Sequence, residues 1–192
     1  MRTLDLHRTT YAALALARAA ILVFGFLLVV SAIQVAVKHR TQTPDGIPVE
    51  TSARQIEKQL TCLAKNIYWE AASEPFEGKV AVAQVTMNRM ESGKFPDTVC
   101  GVVHQKTAFY DKVVCQFSWL CENTYQTRPI HQKLYKESEE VAKMVMLEGF
   151  RLTSVKSALY YHADYVNPKW NKERITQIGR HIFYKDKNAG NT

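Results

Sequence analysis

From Ala19 to Val37 the chain reads AAILVFGFLLVVSAIQVAV, without one charged residue. As a helix rising 1.5 Å per residue, a run of this length reaches about 30 Å, the thickness of a bilayer's hydrocarbon core. It therefore marks a membrane span, and whatever folds after it must fold on one side. A cleaved signal peptide is the rival, but its apolar region is ordinarily shorter and ends in a small-x-small site, whereas Gln34 fills the −3 place before Ala36. A retained anchor is the preferred reading. Arg2, Arg8 and Arg18 precede the span and Lys38 and Arg40 follow it, which gives the positive-inside rule a small bias towards an inside N-terminus.

The cysteines agree with that orientation. Cys62, Cys100, Cys115 and Cys121 all lie after the span, as expected of a domain in an oxidising compartment, in the periplasm or otherwise outside the cytoplasm. Spacing alone allows three complete pairings. Cys62 with Cys100 and Cys115 with Cys121 is the preferred one, since CQFSWLC closes a small loop. Residues 1–18 then form a cytoplasmic segment, 19–37 the anchor, 38–52 a polar linker with two prolines and a glycine, 53–187 one domain and 188–192 a tail.

A chain of 192 residues with 46% hydrophobic content can build one such domain with a core. The net charge of +7 suits an anionic polymer or membrane surface, yet no basic stripe interleaved with aromatics and no nucleic-acid module is present, so nucleic acid is not an expected partner.

The domain is organised around CLAKNIYWEAASEPFEGKVAVAQVTMNRM, residues 62–90. Leu63, Ile67 and Ala71 share a helical face, and Glu70 lies beside it, three residues after Ile67. Pro75 disfavours helix at Glu74, so the helix stops near Ser73 and Glu70 falls in its last turn. A second apolar helix covers Glu77 to Glu91, with Gly78 allowing close approach, and the two are expected to form a hairpin. Glu70 is then either a surface carboxylate paired with Lys or Arg, or a general acid whose pKa is raised by neighbours such as Tyr68 and Trp69.

Further on, Val99 to Gln105 is a short apolar piece, Lys106 to Asn123 reads as loop, and Ile130 to Glu148 as an amphipathic helix ending before Gly149. Ser157 to Val166 and Arg174 to Lys185 are rich in aromatic and branched residues and read as an antiparallel pair. The fold class is thus α+β, a helical body with a small antiparallel β segment, preceded by a transmembrane helix.

The motifs N-I-Y-x-E-A-x-x-E-P-x-E-G, F-P-D-T-V-C-G-V-V, C-Q-F-S-W, Y-Y-H-A and I-G-R-H-I-F-Y, in this order from Cys62 to Tyr184, resemble the cell wall hydrolases of the SleB (spore cortex-lytic) type. The resemblance implies a lysozyme-like plan and peptidoglycan glycan strands as the partner. It also implies a lytic transglycosylase route: Glu70 protonates the glycosidic oxygen and then takes the proton of the muramic C6 hydroxyl, so that one acid/base suffices without a cofactor. Ala72 and Ser73 stand where many relatives have Arg-Gly.

For substrate contact the motifs bring forward Gln116, Ser118, Tyr161 and His162. Trp119, with Phe117, Tyr160 and Trp170, offers aromatic faces for sugar stacking. Glu74 is the nearest second carboxylate, ahead of Glu77, Asp97 and Asp164, should hydrolysis of the muramidase type need one. The alternatives are a metal-dependent N-acetylmuramoyl amidase using His104, His162 and His181, which lack zinc-ligand spacing, and a wall-binding module without catalysis.

Overall fold

The computed structural model describes residues 2–40, 49–110 and 112–187, and the expected tail and most of the linker lie outside these. It divides into two units, Met1–Arg54 and Gln55–Thr192. The first contains α1, Arg2–Arg40, one uninterrupted helix whose stretch Ala17–Val37 is long and apolar enough to cross a membrane. Its large side chains, Leu22, Phe24 and Phe26 among them, are exposed.

The next helix, α2, is Val49–Ala71. It starts earlier than expected, so the last four residues assigned to the linker are helical. Leu63, Ala64, Ile67 and Ala71 are buried on one side, and the chain turns at Glu74-Pro75 as the proline requires. Then α3 runs over Phe76–Glu91, with Glu77 in its first turn where a negative charge meets the helix dipole favourably.

Every residue of α3 from Gly78 to Met87 is buried, which makes this helix the axis of the domain. Val80, Ala83 and Met87 face one apolar cluster, shared with Leu63 and Ile67 of α2 and with Val141 and Val145. Ala81 and Val85 face a second, shared with Val155, Ala158 and Phe183. Polar residues on α3 are matched rather than excluded. Asn66 donates to Thr86 at 3.3 Å, Gln84 exchanges two hydrogen bonds with the backbone of Leu152, and Lys79 pairs with Glu137 at 2.7 Å.

The undecided piece is helical: α4, Val99–Val103, capped by the Thr98 hydroxyl, which accepts from the Gly101 N–H. Disulfides join Cys62 to Cys100, tying α2 to α4, and Cys115 to Cys121. The expected loop at Lys106 to Asn123 is largely structured. It holds an antiparallel hairpin of β1, Lys106–Phe109, and β2, Lys112–Cys115, then a 3-10 turn at Ser118–Leu120 and the start of α5, Asn123–Gln126. After α6, Gln132–Met146, the chain reverses at Gly149, which takes φ +72°.

The last stretch is a three-stranded antiparallel sheet in the order β3-β5-β4, with β3 Tyr160–Ala163, β4 Lys172–Ile178 and β5 His181–Asp186. The expected single strand Arg174 to Lys185 is in fact a hairpin, folded at Gly179 with φ +56°. Strand β5 is central, and it sets Tyr161 opposite Phe183.

Candidate active site

Glu70 sits in the last turn of α2, half-buried, and its Oε2 accepts a hydrogen bond of 3.1 Å from the hydroxyl of Tyr161 on β3. Burial pushes its pKa from 4.5 up to about 7; the Tyr161 hydrogen bond and the charge of Arg89 pull it down, and Glu122 adds a smaller upward push. The surface ion pair weighed for Glu70 is absent among the described residues. Tyr161 is itself partly buried and raised well above its ordinary value, mainly by desolvation, so it stays a neutral donor.

Arg89 explains why the carboxyl escapes pairing. It is buried on α3, its Nε donates to the carbonyl of Leu159 at 2.7 Å, and its guanidinium lies 5.2 Å from the centre of the Phe95 ring and 5.5 Å from that of Phe117. With the Gln116 amide turned so that its oxygen faces inward, that oxygen accepts from Nη1 at 3.1 Å and Nη2 at 3.3 Å. Each of the arginine's three nitrogens has one of these acceptors, and its charge reaches Glu70 only through space. Gln116, expected to contact substrate, therefore holds Arg89. Nothing in the sequence marked Arg89 beyond its place at a helix end.

Other expected site residues are placed differently. Glu74 accepts from the backbone N–H of Arg180 at 2.9 Å and packs against Gly78 and Gly179, so it braces the α2–α3 turn to the β4–β5 turn. Trp119 is in the core, donating to Asn66 at 3.2 Å; only part of it reaches a groove. Ser118 is exposed, and its carbonyl accepts from Cys121 and Glu122. Phe117 is buried, Tyr160 lies under Lys172 at 3.9 Å, and Trp170 is partly exposed against Tyr160 and His162.

His162 neighbours Tyr161 on a strand and so faces the opposite side of the sheet. Its Nδ1 lies 2.8 Å from the Ala163 carbonyl and its Nε2 2.9 Å from the Tyr184 hydroxyl, which assigns the proton to Nδ1 and leaves Nε2 an acceptor. His181, on the Tyr161 side, is held low in pKa by burial, and its Nδ1 has no partner. The two histidines thus point away from each other and cannot share an ion. Cys62, Cys100 and His104 do converge, but both sulfurs are spent in a disulfide and His104 Nδ1 lies 2.8 Å from the Cys100 carbonyl.

A groove of about 350 Å³ is lined by Trp69, the residue next to Glu70 on α2, together with Trp119 and Tyr125. Glu122, flanked in sequence by this groove's Leu120 and Tyr125, is the one acidic residue whose charge is felt at Glu70. It was not among the four candidates for a second carboxylate.

A family model described as cell wall hydrolase matches residues 73–184. The chain belongs to the cell wall hydrolase family. The matched segment carries Tyr161, Arg89 and Gln116, and it begins three residues after Glu70. The chain is 32% identical over 137 residues to a spore cortex-lytic enzyme of Oceanobacillus iheyensis, covering 67% of this chain and 42% of that protein. It is 30% identical over 128 residues to the spore cortex-lytic enzyme of Bacillus subtilis, covering 65% of this chain and 36% of the relative. The chain thus spans less than half the length of these curated relatives. Among solved structures it is similar to the catalytic domain of the germination-specific lytic transglycosylase SleB from Bacillus anthracis, with TM-score 0.48 and 30% identity over 66% of this chain and 93% of that one.

Proposed function

We propose that this cell wall hydrolase cleaves the glycan strand of peptidoglycan, between muramic acid and glucosamine, as a lytic transglycosylase with Glu70 as its single acid/base. The observation that carries the reading is a half-buried carboxyl group without a cationic partner and with a pKa of about 7. Such a group is protonated in about half the molecules at neutral pH and can both give and take a proton. Tyr161 occupies Oε2, so the transferable proton belongs on Oε1. Oε1–H protonates the glycosidic oxygen as its bond to muramic C1 breaks. The resulting carboxylate takes the proton of the muramic C6 hydroxyl as that oxygen bonds to C1, giving a 1,6-anhydro ring and restoring Glu70. The 32% identity to a spore cortex-lytic enzyme supports a cell wall substrate.

A muramidase-type hydrolysis is the second reading. It is favoured by Glu122, a second carboxylate whose charge bears on Glu70. Mass spectrometry of muropeptides released from sacculi separates the two, since transglycosylation leaves anhydromuramic ends and hydrolysis leaves reducing ends. Glu70→Gln should fold and lower release by at least about 100-fold, the scale of lost general acid catalysis. A folded Glu70→Gln variant with full activity would end both readings.

The same proposal places the enzyme on a membrane through Ala17–Val37, with the disulfide-bearing unit outside the cytoplasm. Release of the full-length chain from membranes by alkaline carbonate would overturn the anchored state.

A further inference from the structure

Resting on that reading of Glu70, we propose that the groove lined by its neighbour Trp69 is a subsite for the peptide stem of peptidoglycan, with Lys65 and Arg128 receiving the stem's free carboxylates. The groove's volume of about 350 Å³ is that of a small-ligand site and can take a few residues of an extended peptide. Its floor is poorly suited to stacking a pyranose. Trp69 and Tyr125 meet edge to face at 87° with centroids 5.3 Å apart, and Trp119 is largely buried. The rings and the walls from Leu120 and Ile130 make an apolar trough rather than one flat plate.

The polar complement decides between ligands. Sugar hydroxyls both donate and accept, so their sites pair acceptors such as carboxylates with donors such as amide N–H groups. Around this trough the charged side chains are two cations, Lys65 and Arg128, and neither pairs with a carboxylate among the described residues. The Arg128 guanidinium lies 5.3 Å from the centre of the Tyr125 ring, which fixes it on the rim with its edge free for a bidentate carboxylate contact. An apolar trough between two unpaired cations matches a chain of alanine methyls and free carboxylates, which is the chemistry of the stem.

Position agrees with chemistry. Trp69 directly precedes Glu70 on α2, and Glu122, between Leu120 and Tyr125, acts on the Glu70 carboxyl. The stem hangs from the lactyl group of the muramic residue whose C1 is attacked. A groove lined by the residue next to the acid is where it would lie.

The test uses the full-length protein in detergent on two substrates, sacculi with their stems and the same glycan stripped of stems by an amidase. The wild type should cut the stem-bearing glycan at least about tenfold faster, which corresponds to about 1.4 kcal/mol of added transition-state binding. Lys65→Met with Arg128→Met, in a protein that melts as the wild type does, should bring that ratio close to one. Equal rates by the wild type on the two substrates, or a double variant that keeps the wild-type ratio, would overturn the subsite. If the wild type cuts neither substrate, the reading of Glu70 fails instead, and calorimetric titration with the free stem tripeptide decides the groove. Binding by the wild type and by Glu70→Gln, lost in the double variant, would uphold it, and no binding by the wild type would end it.

Discussion

Glu70 and Glu74 stand four residues apart at the end of α2, and each meets the three-stranded sheet, yet the sheet offers them different partners. Glu70 meets the side-chain hydroxyl of Tyr161 in a buried setting where the Arg89 charge is also felt, whereas Glu74 meets a backbone N–H at the Gly179–Arg180 turn. The first region desolvates a carboxyl without neutralising it, and so stores a cost that chemistry can use. The second uses a carboxylate to hold two turns together. Residue type and spacing are the same for both, so it is the packing around each that separates a carboxyl of raised pKa from a brace.

The largest expected effect follows from the cost at Glu70. Its folded pKa of about 7 lies above the ordinary 4.5, so the folded state is favoured while the group is protonated, and that advantage is lost as pH rises from about 4.5 through 7. Glu70→Gln removes the titration. Its stability should match the wild type near pH 4 and exceed it by on the order of 1–3 kcal/mol at pH 8, the range allowing for the solvent opening the group keeps. Chemical denaturation at both pH values measures the difference, and a variant less stable than the wild type at pH 8 would show Glu70 to be a structural partner.

Next in size is the brace. Gly179 has φ +56°, and an added Cβ would run into the Glu74 carboxylate, whereas Gly93 has φ +68° with open space around it. Gly93→Ala should cost about 1 kcal/mol from backbone strain, and Gly179→Ala up to about 3 kcal/mol. Equal melting temperatures for the two variants would show that the Glu74 contact adds nothing. Glu74→Gln keeps an acceptor for the Arg180 N–H and should change neither folding nor cleavage much.

The smallest effect sharpens the electrostatics. Cleavage should fall on the alkaline side as Glu70 loses its proton near pH 7. Tyr161→Phe removes a hydrogen bond that lowers the Glu70 pKa, so this alkaline limb should move upward; Glu122→Gln removes a charge that raises it, so the limb should move downward by less. Limbs that do not move in either variant would assign the alkaline fall to another group.

How far the sequence speaks follows the same division. Helices α2 and α3 and the turn between them are legible because apolar spacing and Pro75 act locally. The hairpin of β1 and β2 is not, since Val113 and Val114 are both exposed and the chain reverses at Tyr110, which takes φ +50° without the glycine that would announce it. The hairpin of β4 and β5 hides because branched residues flank Gly179 on both sides, Ile175, Thr176 and Ile178 before it and Ile182 after it. Glu70 and Tyr161 could be named from motifs. Arg89 could not, because its burial depends on Phe95, Phe117, Gln116 and Leu159, which only the fold brings to it. Nor could the groove, whose cations come from α2 and from the segment after α5.

The strand order has a bearing on how the protein is made. Strand β5 is the last of the described strands to leave the ribosome, and it is the one on which both β3 and β4 depend for pairing. Until His181 to Asp186 has been delivered, β3 has no strand to pair with, and Tyr161 lacks the Phe183 and His181 rings it packs against. A chain emerging from its N-terminus thus carries Glu70 for more than a hundred residues of synthesis before the strand that pairs with β3 arrives, and a product truncated within β5 should lack the Tyr161 contact that Glu70 has in the complete sheet.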